Sequence, residues 1–157
     1  MKYLKRVIIS IAFLVSANAF SQTISKNALG LRVGDNDGFG GEISYQRYLS
    51  ENNRLEFDLG FRDSKNVEAF KLVGLYQWVF PLENRFNWYV GAGAGLGSFN
   101  NPENSGAFAL VAGNVGIEYN FNIPLLLSLD VRPELGFNDE FSDDLDLDIA
   151  FGIRYQF

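Results

Sequence analysis

The side chains in this sequence that can carry chemistry are almost all carboxylates and cations, because the chain has no histidine and no cysteine. Nucleophilic catalysis by Ser–His or Cys–His pairs and metal sites built on histidine or cysteine are therefore excluded. The charges recur at every second position in short segments, as in Glu56 and Asp58 or Asp146 and Asp148. We expect no catalytic residue, no metal and no cofactor, and a fold whose elements place alternate residues on one face.

The C-terminal segment shows this alternation most clearly. Every second position from Leu145 to Phe157 is apolar or aromatic, whereas the positions from Asp146 to Gln156 are polar or small. A period of two predicts a β-strand with one apolar face. Seven earlier segments show similar alternation, which gives eight predicted strands in all. Turn-forming Asn, Asp, Ser, Gly and Pro separate them at 35–38, 50–53, 63–66, 81–85, 100–106, 122–124 and 138–143.

Eight strands joined by short connections predict an all-β fold, an antiparallel up-and-down barrel. A soluble barrel would turn the apolar face inward, and a transmembrane barrel would turn it outward. The apolar face carries many Phe, Tyr, Trp and Leu, which would overfill an interior that is only wide enough for ordinary side chains. A two-sheet sandwich would expose the bare face formed by Gly91, Gly93, Gly95 and Gly97. The sequence therefore favours the transmembrane barrel, with the glycines as a crowded lumen wall rather than a phosphate loop, since they lack the required spacing.

The first 21 residues predict a cleaved signal peptide, and the domain prediction is a barrel over 22–157. Lys2, Lys5 and Arg6 precede an apolar run, and Ala17-Asn18-Ala19 fits cleavage near 19–21. The alternative is an uncleaved membrane anchor, which the short apolar run disfavours. The whole chain has 13 Lys and Arg against 19 Asp and Glu. Cleavage would remove Lys2, Lys5 and Arg6, which leaves ten Lys and Arg and a net charge of −9. Such a balance argues against a nucleic-acid partner.

The charges on the predicted lumen face form the candidate functional site. Two interpretations remain open: a narrow polar path for ions, or a salt-bridged plug in which the charges satisfy one another. Unpaired buried charge is costly and eight strands leave little room for water, which favours the plug. The predicted network comprises Arg32, Glu42, Glu56, Asp58, Lys71, Glu118, Asp130, Arg132, Glu134, Asp146, Asp148 and Arg154, with Arg62 on the same face. Within it, Arg32 and Arg132 are expected to contact at least one of Glu134, Asp146 and Asp148.

Aromatic residues are sorted by strand end. Tyr45, Tyr48, Trp78, Trp88, Tyr89, Tyr119 and Tyr155 fall near one end, as in an interfacial girdle, and Phe39, Phe61, Phe99, Phe108 and Phe137 fall near the other.

The sequence resembles the small eight-stranded outer-membrane barrels of the OmpA transmembrane-domain and OmpX type, the "outer membrane protein β-barrel domain" family. The stretch 116–121, followed by Ile123-Pro124 and by 127–133, is similar to the last hairpins of that family. Tyr155 and Phe157 resemble its C-terminal assembly signal. The resemblance implies a cell outer-membrane protein that meets outer-membrane lipids, lipopolysaccharide and, during biogenesis, the barrel-assembly machinery.

Three functions fit this resemblance and these residues. The first is a non-enzymatic barrel with a structural or envelope-maintenance role and a polar, largely plugged lumen. The second is a small ion or solute channel, and the third, a lipid-modifying enzyme, lacks the histidine that such enzymes generally use. Carboxylates of the predicted outer loops are candidate Ca²⁺ or Mg²⁺ ligands that bridge lipopolysaccharide, or ordinary solvated loop residues. They are Asp35, Asp37, Asp139, Glu140, Asp143 and Asp144. No ligand is identified.

Overall fold

The computed structural model describes residues 25–34, 39–64, 66–137 and 145–157. The predicted signal peptide and the acidic loop residues at 35–37 and 139–144 lie outside these ranges. Eight strands are present: β1 (Asn27–Gly34), β2 (Gly41–Tyr48), β3 (Asn53–Ser64), β4 (Val67–Pro81), β5 (Phe86–Asn100), β6 (Ser105–Asn120), β7 (Leu125–Gly136) and β8 (Leu145–Gln156).

Among the described residues, no helix is long and apolar enough to cross a membrane.

The eight strands form one closed barrel in which each strand pairs antiparallel with its neighbour in sequence. The first strand also pairs with the last, with Leu29 opposite Tyr155 and Val33 opposite Phe151. Two further backbone bonds tie the ends together, from Asn27 N to Phe157 O (3.1 Å) and from Phe157 N to Asn27 O (2.9 Å). The predicted fold class is therefore confirmed. We call the end with connections 49–52, 82–85 and 121–124 the turn end, and the opposite end the loop end.

The two faces of the wall differ in the sense that the alternation predicts. On β8, Leu147 and Ile149 are 58% and 61% exposed, whereas Asp148 between them is 1% exposed. The same contrast separates Leu31 from Arg32 on β1. Apolar side chains thus point away from the barrel and charged ones point into it, which is the reverse of a soluble barrel.

The glycine column of β5 lies against the lumen, as expected, because neighbouring side chains take up the space beside it. A Cβ at Gly95 would lie 3.1 Å from Leu110 Cδ1, and one at Gly97 would overlap the Phe108 ring. At Gly93 a Cβ would run into the backbone carbonyl of Gly74. Close approach, rather than turn geometry, is therefore what requires glycine here.

The lumen is not uniformly polar, which corrects the expectation of a polar interior. Towards the loop end it holds an apolar cluster of buried residues on β4, β5 and β6: Val73, Leu75, Phe99, Phe108, Leu110 and Ala112. Phe99 and Phe108 lie near the rim at which the sequence places them, and both point inward, where Gly106 and Gly97 on the facing strands leave room for their rings.

One of the eight strand pairings is interrupted. The β6–β7 pairing runs from Leu110↔Gly136 to Ala112↔Glu134 and resumes at Val115↔Val131, so the register is unchanged across the gap. In that register Pro133 stands opposite Gly113. Proline has no backbone N–H, so this position cannot donate to the facing strand. The wall therefore lacks one inter-strand bond at this point.

Candidate functional site in the barrel lumen

The inward charges come together because each alternating strand contributes one side of the same narrow lumen. Among the described residues, seven carboxylates and five cations are buried. The carboxylates are Glu42, Glu56, Asp58, Glu118, Asp130, Glu134 and Asp148, and the cations are Arg32, Arg54, Lys71, Arg132 and Arg154. Every one of these groups is at most 6% exposed, so their interactions are made with one another rather than with bulk water.

Arg32 on β1 binds carboxylates from three other strands. Its guanidinium donates to Asp130 Oδ1 at 2.6 Å and to Glu42 Oε2 at 2.9 Å, and it also donates to Asp148. The Tyr89 hydroxyl donates to the other oxygen of Asp130 at 3.3 Å. Since a guanidinium stays charged and offers five N–H donors, it suits a site where several carboxylates converge.

Arg132 on β7 is the second centre of the network. Its nitrogens lie 2.6 Å from Glu42 Oε1, 2.9 Å from Asp58 Oδ2 and 2.7 Å from Glu134 Oε1. Asp148 Oδ2 is 3.4 Å away. Glu42 and Asp148 contact both Arg32 and Arg132, so the two guanidinium groups are joined through shared carboxylates.

Arg154 on β8 reaches across the lumen to β2 and β3. It donates to Ser44 Oγ at 3.0 Å, to Ser128 Oγ at 2.7 Å and to Glu56 Oε2 at 3.2 Å. The Gln46 side-chain amide donates to the same Glu56 oxygen. Glu56 is thereby fixed through one of its two oxygens.

A separate pair near the turn end contains the one buried cation that the predicted network omits. Arg54 is 0% exposed and donates to Glu118 Oε2 at 2.7 Å and to Gln77 Oε1 at 2.5 Å. Its guanidinium also lies 4.6 Å from the Tyr89 ring centroid. The alternation of β3 places Arg54 on the face of Glu56 and Asp58. It was missed because the predicted strand began one residue later.

Lys71 closes the network on its loop-end side. Its ammonium nitrogen is 2.9 Å from Glu134 Oε2 and 3.9 Å from Glu42 Oε1. It also lies 5.0 Å from the ring centroid of Phe39. Phe39 was expected on the outward face near the rim, but it is 3% exposed and covers the charged groups beneath it.

The remaining predicted residues lie outside this core. Asp146 is half-buried beside Glu134 on the facing strand, and Arg62 is half-buried near the loop end. The Tyr155 and Phe157 rings stack at 6.3 Å between centroids on the outer surface where the barrel closes.

The predicted aromatic girdle needs correction at two tyrosines. Trp78 and Trp88 face outward, but Tyr89 is 0% exposed inside the lumen. Tyr48 is directed towards Arg54, 5.6 Å from its ring centroid. Both rings stack against a buried guanidinium, an interaction that favours tyrosine in the lumen.

The buried charges do not balance. Apart from the Arg54–Glu118 pair, six carboxylates share four cations in the described lumen. Five oxygens of fully buried side chains there have no hydrogen-bond partner among the described residues: Gln46 Oε1, Glu56 Oε1, Asp58 Oδ1, Asn114 Oδ1 and Asp148 Oδ1. No group of three or more acidic residues in the described ranges is arranged as a metal site. The arrangement holds charges of both signs in close contact within the lumen.

A cavity of about 1010 Å³ opens at the turn end of the barrel. Its walls come from the three turns and the adjoining strand ends, and they are rich in side-chain amides. These amides belong to Asn52, Asn87, Asn120, Asn122 and Gln156. Glu118 also lines the cavity, and its partner Arg54 is fully buried, so the charged network begins where the cavity ends.

Solved structures with the same architecture identify the fold. The N-terminal β-barrel domain of Pseudomonas aeruginosa OprF matches with a TM-score of 0.65 at 13% identity, over 85% of this chain and 100% of that one. Neisserial surface protein A matches with a TM-score of 0.61 at 12% identity, over 83% of this chain and 95% of that one. Ail, the attachment invasion locus protein of Yersinia pestis, matches with a TM-score of 0.56 at 17% identity, over 85% of this chain and 97% of that one.

The fold is that of the small eight-stranded outer-membrane β-barrels. The resemblance noted from the last hairpins is thus supported over most of the described chain by structural similarity. No family model and no curated protein matches the sequence. At these identities the likeness shows the fold alone.

Proposed function

We propose that this protein is a non-enzymatic integral outer-membrane barrel with a structural or envelope-maintenance role and a largely closed lumen. The observation that carries the proposal is the convergence of Arg32 and Arg132 on shared carboxylates, with both guanidinium groups at most 1% exposed. Together with Phe39 and the apolar cluster, this network leaves little cross-section for water. An enzymatic role finds no support, because the sequence has neither histidine nor cysteine.

The outer membrane of a Gram-negative cell is the proposed location. The exposed apolar band would meet lipid, and lipopolysaccharide would surround the loop end. Tyr155 and Phe157 would be the signal that the barrel-assembly machinery reads, and residues 1–21 would be the cleaved export signal. Support comes from the outward aliphatic face and from neighbours of this fold, one of which is described as the outer membrane protein Ail of Yersinia pestis.

A small ion or solute channel is the second candidate, and the turn-end cavity favours it. This cavity extends from the turn end to Glu118, and among the described residues the network and the apolar cluster lie between it and the loop end. A rearrangement of Arg54 and Arg132 would be needed to connect the two ends.

Single-channel recording in planar bilayers distinguishes the two candidates. The refolded protein is expected to give no steady conductance steps, and reproducible steps of one size would favour the channel. A deletion strain tested for sensitivity to detergents and bile salts addresses the envelope role. Fractionation of the cell envelope, with sequencing of the mature N-terminus, tests the location and the cleavage near 19–21.

A further inference from the structure

The inner face of the β2–β3 hairpin carries four buried polar side chains in two neighbouring cross-strand pairs. Gln46 stands opposite Glu56, and Ser44 stands opposite Asp58, in adjacent rows of the sheet. Residues paired in this way have Cβ atoms about 4.5–5.5 Å apart. All four are at most 1% exposed. We call this group, Ser44, Gln46, Glu56 and Asp58, the β2–β3 oxygen patch.

Three oxygens of the patch have no hydrogen-bond partner among the described residues: Gln46 Oε1, Glu56 Oε1 and Asp58 Oδ1. In each case the other polar atom of the same side chain is engaged, which fixes the side chain in place. Buried acceptors without a donor are rare in folded proteins, and each costs free energy. Such a group of acceptors therefore points to a species that is bound there.

The charges around the patch are insufficient to neutralise it. Arg154 from β8 contacts Glu56, and Arg132 from β7 contacts Asp58 but is shared with three further carboxylates. Arg54 on β3 is engaged by Glu118, and Arg32 on β1 by Glu42, Asp130 and Asp148. Two buried carboxylates of the described lumen are thus in excess, and within the patch the shortfall falls on Asp58, which shares its cation with three other groups.

We propose that the β2–β3 oxygen patch binds a hard inorganic cation, such as Na⁺ or Ca²⁺, through Gln46 Oε1, Glu56 Oε1 and Asp58 Oδ1. Carboxylate and amide oxygens are the ligands that such ions take. A proton would satisfy one oxygen or one shared pair, whereas a coordinated cation satisfies all three and offsets the excess charge. The site rests on the fold alone, and it does not depend on the envelope role.

The test is cation-dependent unfolding of the full mature chain, refolded into micelles. Urea unfolding is followed by the fluorescence of Trp78 and Trp88, which face outward and report transfer into water. NaCl or CaCl₂ replaces choline chloride at constant ionic strength and pH. Binding of one cation to the folded barrel predicts that the unfolding equilibrium constant falls about tenfold for each tenfold rise in cation concentration above the dissociation constant.

Variants locate the effect. The double variant E56Q/D58N should lose the dependence, and E118Q should keep it, because Glu118 lies in the balanced pair with Arg54. If the double variant does not fold, Q46L removes one oxygen without changing charge and should raise the required cation concentration about tenfold. If the unfolding equilibrium constant of the wild-type protein does not change with cation concentration, the proposal is overturned and the excess carboxylates are neutralised by protons. An unchanged response in both E56Q/D58N and Q46L would overturn it by placing the cation elsewhere.

Discussion

Arg32 and Asp130 are separated by 98 positions in the sequence, yet the Arg32 guanidinium donates to Asp130 at 2.6 Å across the barrel lumen. The contact joins β1 to β7, which are not neighbours in the sheet. It exists because β8 lies between them and their inward faces converge. The interior therefore adds cross-lumen links to a wall that already connects every strand to two others.

Removal of Arg132 tests the importance of these links. Arg132→Ala removes the cation that joins Asp58 to Glu42 and Glu134, leaves Asp58 without an ion-pair partner among the described residues, and should destabilise the barrel by about 3–5 kcal/mol. Leu147→Ala, which removes part of an outward side chain only, should lower the free energy of unfolding by less than Arg132→Ala does. Urea unfolding in micelles or liposomes provides the comparison. Equal losses for the two variants would mean that the network contributes little net stability.

The orientation of the wall predicts an asymmetry between adjacent residues on β8. Ile149→Arg places a guanidinium on the apolar band and should weaken folding into lipid by about 2–4 kcal/mol near the midplane. Asp148→Asn, one residue earlier, changes a lumen group and should leave insertion largely intact. Folding yield into liposomes, read as the heat-modifiable band in gel electrophoresis, measures both. Equal tolerance would contradict the assignment of the two faces.

The glycine column of β5 predicts a second asymmetry. Gly93→Ala directs a methyl group against the Gly74 carbonyl and should cost about 1–3 kcal/mol through overpacking. Its neighbour Ala94 is exposed on the outer face, so Ala94→Val is the matched control and should be nearly neutral. Equilibrium unfolding distinguishes them. If Gly93→Ala unfolds at the wild-type urea concentration, the wall can shift to accept the methyl group.

The interruption of the β6–β7 pairing leads to a prediction about hydrogen exchange. Pro133→Ala supplies the N–H that the register places opposite Gly113, and the new amide should bond to the facing strand. Exchange at residue 133 should then be as slow as at Val131, measured by NMR in micelles. Fast exchange at residue 133 would show that the strands stay apart there for a reason other than the missing donor.

The sequence predicts the wall of this barrel better than its contents. Alternation alone places Leu147, Asp148 and Ile149 correctly, because a strand has only two faces and the apolar face is the one that contacts lipid. It also puts Phe99 in phase with Gly97 and Phe108 in phase with Ala112, on the lumen face, but it does not show what makes room for the two rings. That room comes from Gly106 opposite Phe99 and Gly97 opposite Phe108, which is a property of strand pairing rather than of local sequence.

The sequence predicts contacts of Arg32 and Arg132 with at least one of Glu134, Asp146 and Asp148, and the structure places Asp148 against both arginines. Inward alternation identifies Arg132 and Asp148 as lumen residues, yet the sharing of Glu42 between Arg32 and Arg132 depends on reach across the lumen. Arg54 was missed because strand ends are the least distinct part of an alternating pattern. Tyr89 illustrates a different difficulty: an amphipathic ring fits a membrane interface and a guanidinium-lined interior equally well.

The backbone bonds between Asn27 and Phe157 make the wall a ring in which no strand is an edge. A ring has no inherent starting point, so a circular permutant that links these two residues and opens at the turn 82–85 should build the same barrel. The two forms would differ in their kinetics of assembly. In the natural order, pairing of β1 with β8 joins the most distant segments of the described chain and carries the largest loop-closure cost. In the permutant, that cost passes to the β4–β5 pairing, and the step that seals the barrel moves to the opposite side of the ring.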